Sequence, residues 1–327
     1  MSEIKKSTLR TLSMLGQRGT LGVTLEELAK NNEKIVALTS DLQNTSGLDR
    51  FAKSFPNRMF NTGIAEQNMI GMSAGLASNG YIPFATSFAN FTALRGNEFA
   101  RHFMGYMNEN IKLVGMGAGF AMGLFGNTHY ALEDIAVLRA IPNLTILSPA
   151  DCLETKKAII SACNHIGPVY LRLSGVSNNP IVYKEDYEFT IGKAVCLEDE
   201  GDIAIIATGS TVYECVKAVN ELKNKGVKCQ LWNVHTLSSL DDDFINSICK
   251  CKVAFTFEEH REIGGLGSLI SEKLADKTIK PILYRKGANF TFDKAGTYEY
   301  CMKQNELLSE DITEFILNKH KKENKNG

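Results

Sequence analysis

Apolar, strand-like runs alternate with helix-like stretches along almost all of this 327-residue chain, and that alternation constrains the fold more than any other feature. Lys34–Thr39 is a short apolar run stopped by Ser40 and Asp41. Tyr81–Thr86, Ile111–Met116, Leu144–Leu147 and Val169–Leu173 read as further strands, and helices are predicted over Ala65–Ser78, Ala131–Ala140 and Cys152–Asn164. Parallel strands need a crossover, usually a helix, so this order predicts a parallel sheet covered by helices on both faces. The rhythm breaks from Gly175 to about Glu188, where glycine, proline and asparagines suggest a linker. A second series follows. It comprises the strand Ile203–Ala207, a helix over Tyr213–Lys225 capped by Thr208-Gly-Ser210, strands Lys228–Trp232 and Lys252–Phe257, and a helix opened by Gly264-Gly-Leu-Gly267. The expected fold class is α/β with two domains, each a mainly parallel sheet with helices on both faces. Residues 1–180 form the first, 181–190 the linker and 191–327 the second. The length suffices for two separate cores, and no fixed-period repeat suggests a solenoid.

Hydrophobic residues make up 44% and charged residues 22% of the chain, with a formal net charge of -1. Those are globular values, and without a basic face nucleic acid is not expected as a partner. The charged tail Lys319–Gly327 reads as a solvated end. Of eight cysteines, only Cys249 and Cys251 stand close, in a spacing that does not suit zinc. Reduced, mostly buried thiols are therefore expected, and no metal site in this chain. With no signal peptide and no long uncharged apolar run, no membrane association is expected, and the expected location is cytoplasmic.

In open α/β sheets, ligands collect at the carboxyl ends of the strands, so the loops after Thr39, Thr86 and Met116 should converge. Glu66 should join them. It is a lone acid between a small-residue turn and the apolar run Met69, Ile70, Met72, Ala74 and Leu76. An acid in the first turn of a helix is favoured by the helix dipole, but carrying it into a core is costly unless it finds a partner.

The words around it carry more. Arg18-Gly-Thr-Leu-Gly22, Gly63-Ile-Ala-Glu-Gln67, Thr86-Ser-Phe-Ala-Asn-Phe91, Gly126-Asn-Thr-His129 and Pro142–Asp151 together resemble the transketolase family, and Glu258–Gly267 resembles its C-terminal domain. The resemblance runs from Arg18 to about Ile316 and is greatest to the C-terminal half of a transketolase encoded as a separate subunit. It implies thiamine diphosphate as cofactor, with Glu66 and His129 catalytic. In this family the glutamate contacts a ring nitrogen of the aminopyrimidine and favours the tautomer that deprotonates the thiazolium ring. Asp41 matches an acid near the thiazolium side, and Phe88 and Phe91 match the rings that hold the pyrimidine. Leu94 stands where the family often has a third aromatic. His129 matches a histidine near the reacting carbon, able to donate to a developing alkoxide. His260 is expected at a domain interface.

The resemblance also implies what is missing. The family's Gly-Asp-Gly motif for diphosphate and magnesium does not occur, so an N-terminal transketolase subunit is the expected partner, in an α2β2 assembly that binds the magnesium. Arg18 and Thr45 match sugar-phosphate contacts. Gly117 and Gly175 stand at the places of a phosphate-binding histidine and a second phosphate ligand, and Phe125 at that of an acid reading a substrate hydroxyl. Two lost cations remove charge-assisted contacts of roughly 1.5–3 kcal/mol each. The expectation is two-carbon ketol transfer from a sugar donor to an unusual acceptor, with a bulky or nucleotide-linked sugar among the candidates. A deoxyxylulose-phosphate-synthase-like or ketoacid-decarboxylating subunit, and a non-catalytic structural or regulatory subunit, are the rival readings.

Overall fold

The computed structural model describes residues 6–174, 178–289, 291, 292 and 294–326. The first series runs α1 (Lys6–Asn31), β1 (Ile35–Thr39), α2 (Asp49–Ser54), β2 (Met59–Asn61), α3 (Glu66–Ser78) and β3 (Ile82–Phe88). Then come π-type turns at Phe91–Arg95 and Ala100–Tyr106 on either side of the single turn α4 (Asn97–Phe99). After these follow β4 (Lys112–Met116), α5 (Asp134–Arg139), β5 (Thr145–Leu147), α6 (Cys152–Asn164) and β6 (Val169–Leu173). The six strands pair in the order β2-β1-β3-β4-β6-β5, every pair parallel. All residues of β1, β4 and β6 are buried, as strands covered on both faces must be.

The connection from β1 goes outward to β2 while β3 leads the other way to β4, so the sheet reverses direction between β1 and β3. A crevice outside the carboxyl edge at such a reversal is where doubly wound sheets bind ligands.

The second series is β7 (Val195–Asp199), β8 (Ile203–Ala207), α7 (Thr211–Asn224), β9 (Gln230–Asn233), α8 (Asp242–Ile248), β10 (Val253–Arg261), α9 (Leu266–Ala275), β11 (Ile282–Ala288), α10 (Tyr298–Gln304) and α11 (Ser309–Asn326). Its order is β11-β10-β8-β9-β7, parallel except for the edge strand β7, which runs antiparallel to β9 with a bulge between Cys196 and Glu198. The two sheets are joined through backbone. Leu147 of β5 bridges Thr236, and Ser148 N–H donates to the His235 carbonyl at 2.8 Å while Leu237 N–H donates to the Ile146 carbonyl at 2.8 Å. One apolar cluster runs through that seam, from Val36 and Leu113 to Ile206, Leu237 and Phe244.

Three local expectations need correction. β7 was not foreseen, because it is an edge strand with residues open to solvent and shows no apolar run. α5 begins at Asp134, three residues later than predicted. Ala131 exchanges two backbone hydrogen bonds with Gly119, both 3.0 Å, which takes its N–H and carbonyl out of any helix. Ser210 does not cap α7 with its side chain. Its hydroxyl instead donates to Glu259.

Candidate active site

The turn after β1, the opening of α3, the end of β3 and the loop after β4 meet at the reversal point of the first sheet. Asp41 sits there with φ +61°, a left-handed conformation that Asp tolerates better than most residues. Asn61 at the end of β2 holds it. Its Oδ1 accepts from the Asp41 N–H (3.0 Å) and from Gly63 N–H (3.0 Å), and its Nδ2 donates to Asp41 Oδ1 (3.2 Å).

Glu66 is the first residue of α3, behind Ala65, which offers no side-chain cap. The residue is only 1% exposed. Oε1 accepts from Ser87 Oγ at 3.0 Å, and Oε2 accepts from Arg95 Nη1 at 2.8 Å. The awkward acid therefore has a partner within its own chain. Arg95 closes the π-type turn that begins at Phe91, and its guanidinium carbon lies 4.3 Å from the Phe91 ring centroid. Sequence reasoning missed both Ser87 and Arg95. The available signal was a cation four residues beyond an aromatic, a spacing that meets on one helical face.

Their i, i+3 spacing would place Phe88 and Phe91 on one face of a helix. Phe88 instead ends β3 and Phe91 opens the π-type turn, with ring centroids 6.0 Å apart in an edge-to-face arrangement. His129 packs against both, 5.8 Å from Phe88 and 5.4 Å from Phe91, and Phe125 lies 5.1 Å beyond it. Thr128 Oγ1 is 2.9 Å from His129 Nδ1, and Asn90 Nδ2 donates to the Thr128 carbonyl at 2.6 Å, pinning this loop to the segment after β3. Four flat side chains thus cluster here, and one of them, Phe91, carries the guanidinium that pairs with the buried carboxylate.

Gly117 follows β4 with φ +66°, and a Cβ there would lie 2.7 Å from Met122 Cγ. Met122 fills the space a longer side chain would need. Arg18, beyond a break in α1 at Gly16, meets the turn that carries Thr45. A Cβ on Gly47 would come within 2.6 Å of the Arg18 carbonyl oxygen. Gly175 lies outside the described residues.

The second sheet supports this loop from behind. Glu259 on β10 accepts from the Phe120 N–H at 2.5 Å, from Tyr298 OH at 2.9 Å and from Ser210. Burial raises its carboxyl above the usual range despite these donors. Arg172 at the end of β6 donates to Asp134 Oδ2 (2.9 Å), to the Ala131 carbonyl (3.1 Å) and to the Glu259 carbonyl (2.9 Å), a buried tie between the two sheets. His260 Nε2 accepts from the Ala136 N–H at 3.3 Å, across the domain boundary, and burial lowers its imidazole to about 4.

Two tandem open α/β sheets, with a buried carboxylate and aromatic rings at the carboxyl edge of the first, define a doubly wound α/β protein of the kind that binds ligands at a sheet reversal. Residues 14–177 match the transketolase pyrimidine-binding domain and residues 192–286 the transketolase C-terminal domain. The chain belongs to the transketolase family. It is 39% identical to a putative transketolase C-terminal section of Methanocaldococcus jannaschii, over 94% of this chain and 97% of that one. It is 36% identical to an apulose-4-phosphate transketolase subunit of Actinobacillus succinogenes, over 88% and 93%. Among solved structures, a split-gene transketolase in the form of an inactive beta4 tetramer superposes with a TM-score of 0.84 at 34% identity, covering 92% of this chain and 97% of that one.

Proposed function

We propose that this chain is the C-terminal subunit of a two-subunit, thiamine-diphosphate-dependent transketolase that moves a two-carbon ketol unit onto an aldose-type acceptor. The observation that carries this reading is the burial of Glu66 against Ser87 and Arg95, with Arg95 lying over Phe91, which packs with Phe88 and His129. These residues fit the pyrimidine half of the cofactor, since a buried carboxyl can engage a ring nitrogen and flat apolar faces can hold a planar ring. When bound, thiamine diphosphate supplies the nucleophilic carbon that carries the two-carbon unit. Glu66 would fix the pyrimidine and share a proton with it, and Phe88, Phe91 and Leu94 would wall its faces. Asp41 would stand on the thiazolium side, and His129 would donate to the sugar oxygen on which charge develops.

The magnesium and diphosphate end calls for a partner. Among the described residues no group of three or more His, Cys, Asp or Glu side chains is arranged to hold a metal ion. An N-terminal subunit would supply that end, in an α2β2 assembly in the cytoplasm. The apolar rim of the site is suited to being covered. Ile64 is 77% exposed, Leu94 50%, Leu124 75% and Phe125 63%. The related split-gene beta tetramer is described as inactive, which accords with half an enzyme. Within this reading residues 1–180 form the pyrimidine-binding unit, 181–190 the linker and 191–327 the C-terminal unit.

The finer proposal concerns the acceptor. Arg18 and Thr45 would still face a sugar phosphate, while Gly117, Phe125 and Gly175 stand where cations and an acid would read an ordinary one. Met122 lies over Gly117, so a neighbouring side chain closes that position. One relative is named for apulose 4-phosphate and another for 6-deoxy-6-sulfo-D-fructose, so the sugar differs within the family. Turnover by the reconstituted pair, screened across sugar phosphates and nucleotide sugars, tests this. An unusual acceptor should be preferred. Xylulose 5-phosphate with ribose 5-phosphate turned over at ordinary transketolase efficiency would contradict it, and carbon dioxide release from pyruvate would favour the decarboxylating alternative.

A further inference from the structure

We propose that Arg95 is a latch that occupies the pyrimidine position in the cofactor-free chain and must swing out before thiamine diphosphate can seat. The inference rests on the reading of Glu66 and Phe91 given above and goes beyond it.

The guanidinium is planar. It lies against Phe91, its carbon 4.3 Å from the ring centroid, and it donates to Glu66 Oε2 at 2.8 Å. An aminopyrimidine in this site would use the same two features: a flat face against an aromatic ring and a nitrogen at the carboxyl group. A planar, delocalised cation stacked on a ring is therefore a good placeholder for it, in a way an ammonium is not.

Access sets the two in competition. Ser87 occupies Oε1 and Arg95 occupies Oε2, and the Glu66 side chain is 1% exposed whereas that of Arg95 is 41% exposed. The solvent-facing member of the pair stands in front of the buried one. A ligand nitrogen reaches Glu66 by displacing Arg95. The local backbone suits such a movement, because Arg95 ends a π-type turn closed by Gly96 N–H donating to the Phe91 carbonyl at 3.0 Å. Inserted π turns of this kind recur at functional sites.

The latch also accounts for how the free chain tolerates an acid buried at a helix mouth. Without a counter-charge Glu66 would be costly to desolvate, and with Arg95 in place the unassembled subunit keeps the acid satisfied. The site is then closed until the partner and cofactor arrive. Cofactor binding works against the closed population, so its apparent affinity is reduced by the fraction of molecules that are open.

Two measurements test this. In the first, binding of thiamine diphosphate with magnesium to the reconstituted complex is followed by calorimetry and stopped flow for the parent, Arg95→Gln and Arg95→Lys. The latch predicts an association rate and affinity raised roughly five-fold or more in Arg95→Gln, corresponding to a largely closed parent. Arg95→Lys, which keeps the charge but loses the stacking fork, should fall between. Unchanged or weakened binding in Arg95→Gln overturns the latch, weakened binding marking Arg95 as a residue of the loaded site. In the second, melting temperatures of the chain alone are compared for Arg95→Gln, Glu66→Gln and the double variant. The two positions should couple, the double variant being less destabilised than the sum of the singles. Additive effects overturn the latch even if Arg95→Gln assembles poorly with its partner. A parent complex that binds no cofactor at all contradicts the reading of the site itself, whatever Arg95 does.

Discussion

Glu66 and Arg95 divide one small space between them. The carboxylate is fixed by Ser87, while the guanidinium covering it reaches solvent. Glu66→Gln replaces one carboxylate oxygen by an amide nitrogen of the same size. We expect it to fold, with a stability change of about 1 kcal/mol from the altered pair, and to lose nearly all turnover in the reconstituted complex. Far-ultraviolet circular dichroism and steady-state assays on the same preparation check both halves. Retained activity would remove Glu66 from the chemistry. The words surrounding Glu66, Phe88, Phe91 and His129 were legible in the sequence because short loop motifs at strand ends carry ligands together. Arg95 was not, since its place depends on where a long, flexible side chain folds back across a π-type turn. Met122 over Gly117 escaped notice for a similar reason, the filling of that space by a residue further along the loop being a tertiary fact.

At the scale of elements, Glu258 shows how the second domain is set. Its carboxyl caps the opening of α9, accepting from Leu266 N–H at 2.6 Å and Gly267 N–H at 2.8 Å, yet burial raises it to about 7 from an ordinary 4.5. A carboxyl that is raised on folding holds its proton more tightly in the folded state. Its contribution to stability is complete below about pH 4.5 and is lost as pH rises through about 7. The span amounts to ~3 kcal/mol. His260, lowered to about 4, acts in the opposite sense, its contribution being lost as pH falls from 6.5 through about 4. Glu258→Gln should therefore lose stability less steeply than the parent between about pH 5 and 8, whatever the absolute cost of the weaker cap. Denaturant midpoints at several pH values check this, and parallel curves would contradict it. The central elements of both series were legible, whereas α1, α8, β11, α10 and α11 were not read from the sequence. The buried parallel strand Ile203–Ala207 is a continuous apolar run, Val169–Leu173 is apolar but for Arg172, and α6 has the bounds its spacing predicts. What failed was edge and context. β7 pairs antiparallel at a partly exposed edge, and the hydroxyl of Ser210 was drawn from its helix to Glu259 on β10.

Across the whole molecule, the second domain holds the first in working shape. Glu259 grips the loop that leads to His129, Arg172 ties β6 to the Glu259 carbonyl, and the 235–237 segment extends the first sheet beyond β5. In the proposed function the apolar rim around the buried carboxylate is one face of a site that a partner completes. The cofactor should therefore bind between this chain and an N-terminal transketolase subunit. Calorimetric titration of thiamine diphosphate with magnesium into this chain alone, and into its mixture with that subunit, tests this most directly. No tight binding is expected from the chain alone, and saturable, tight binding from the mixture. Tight, magnesium-dependent binding by the chain alone would contradict it.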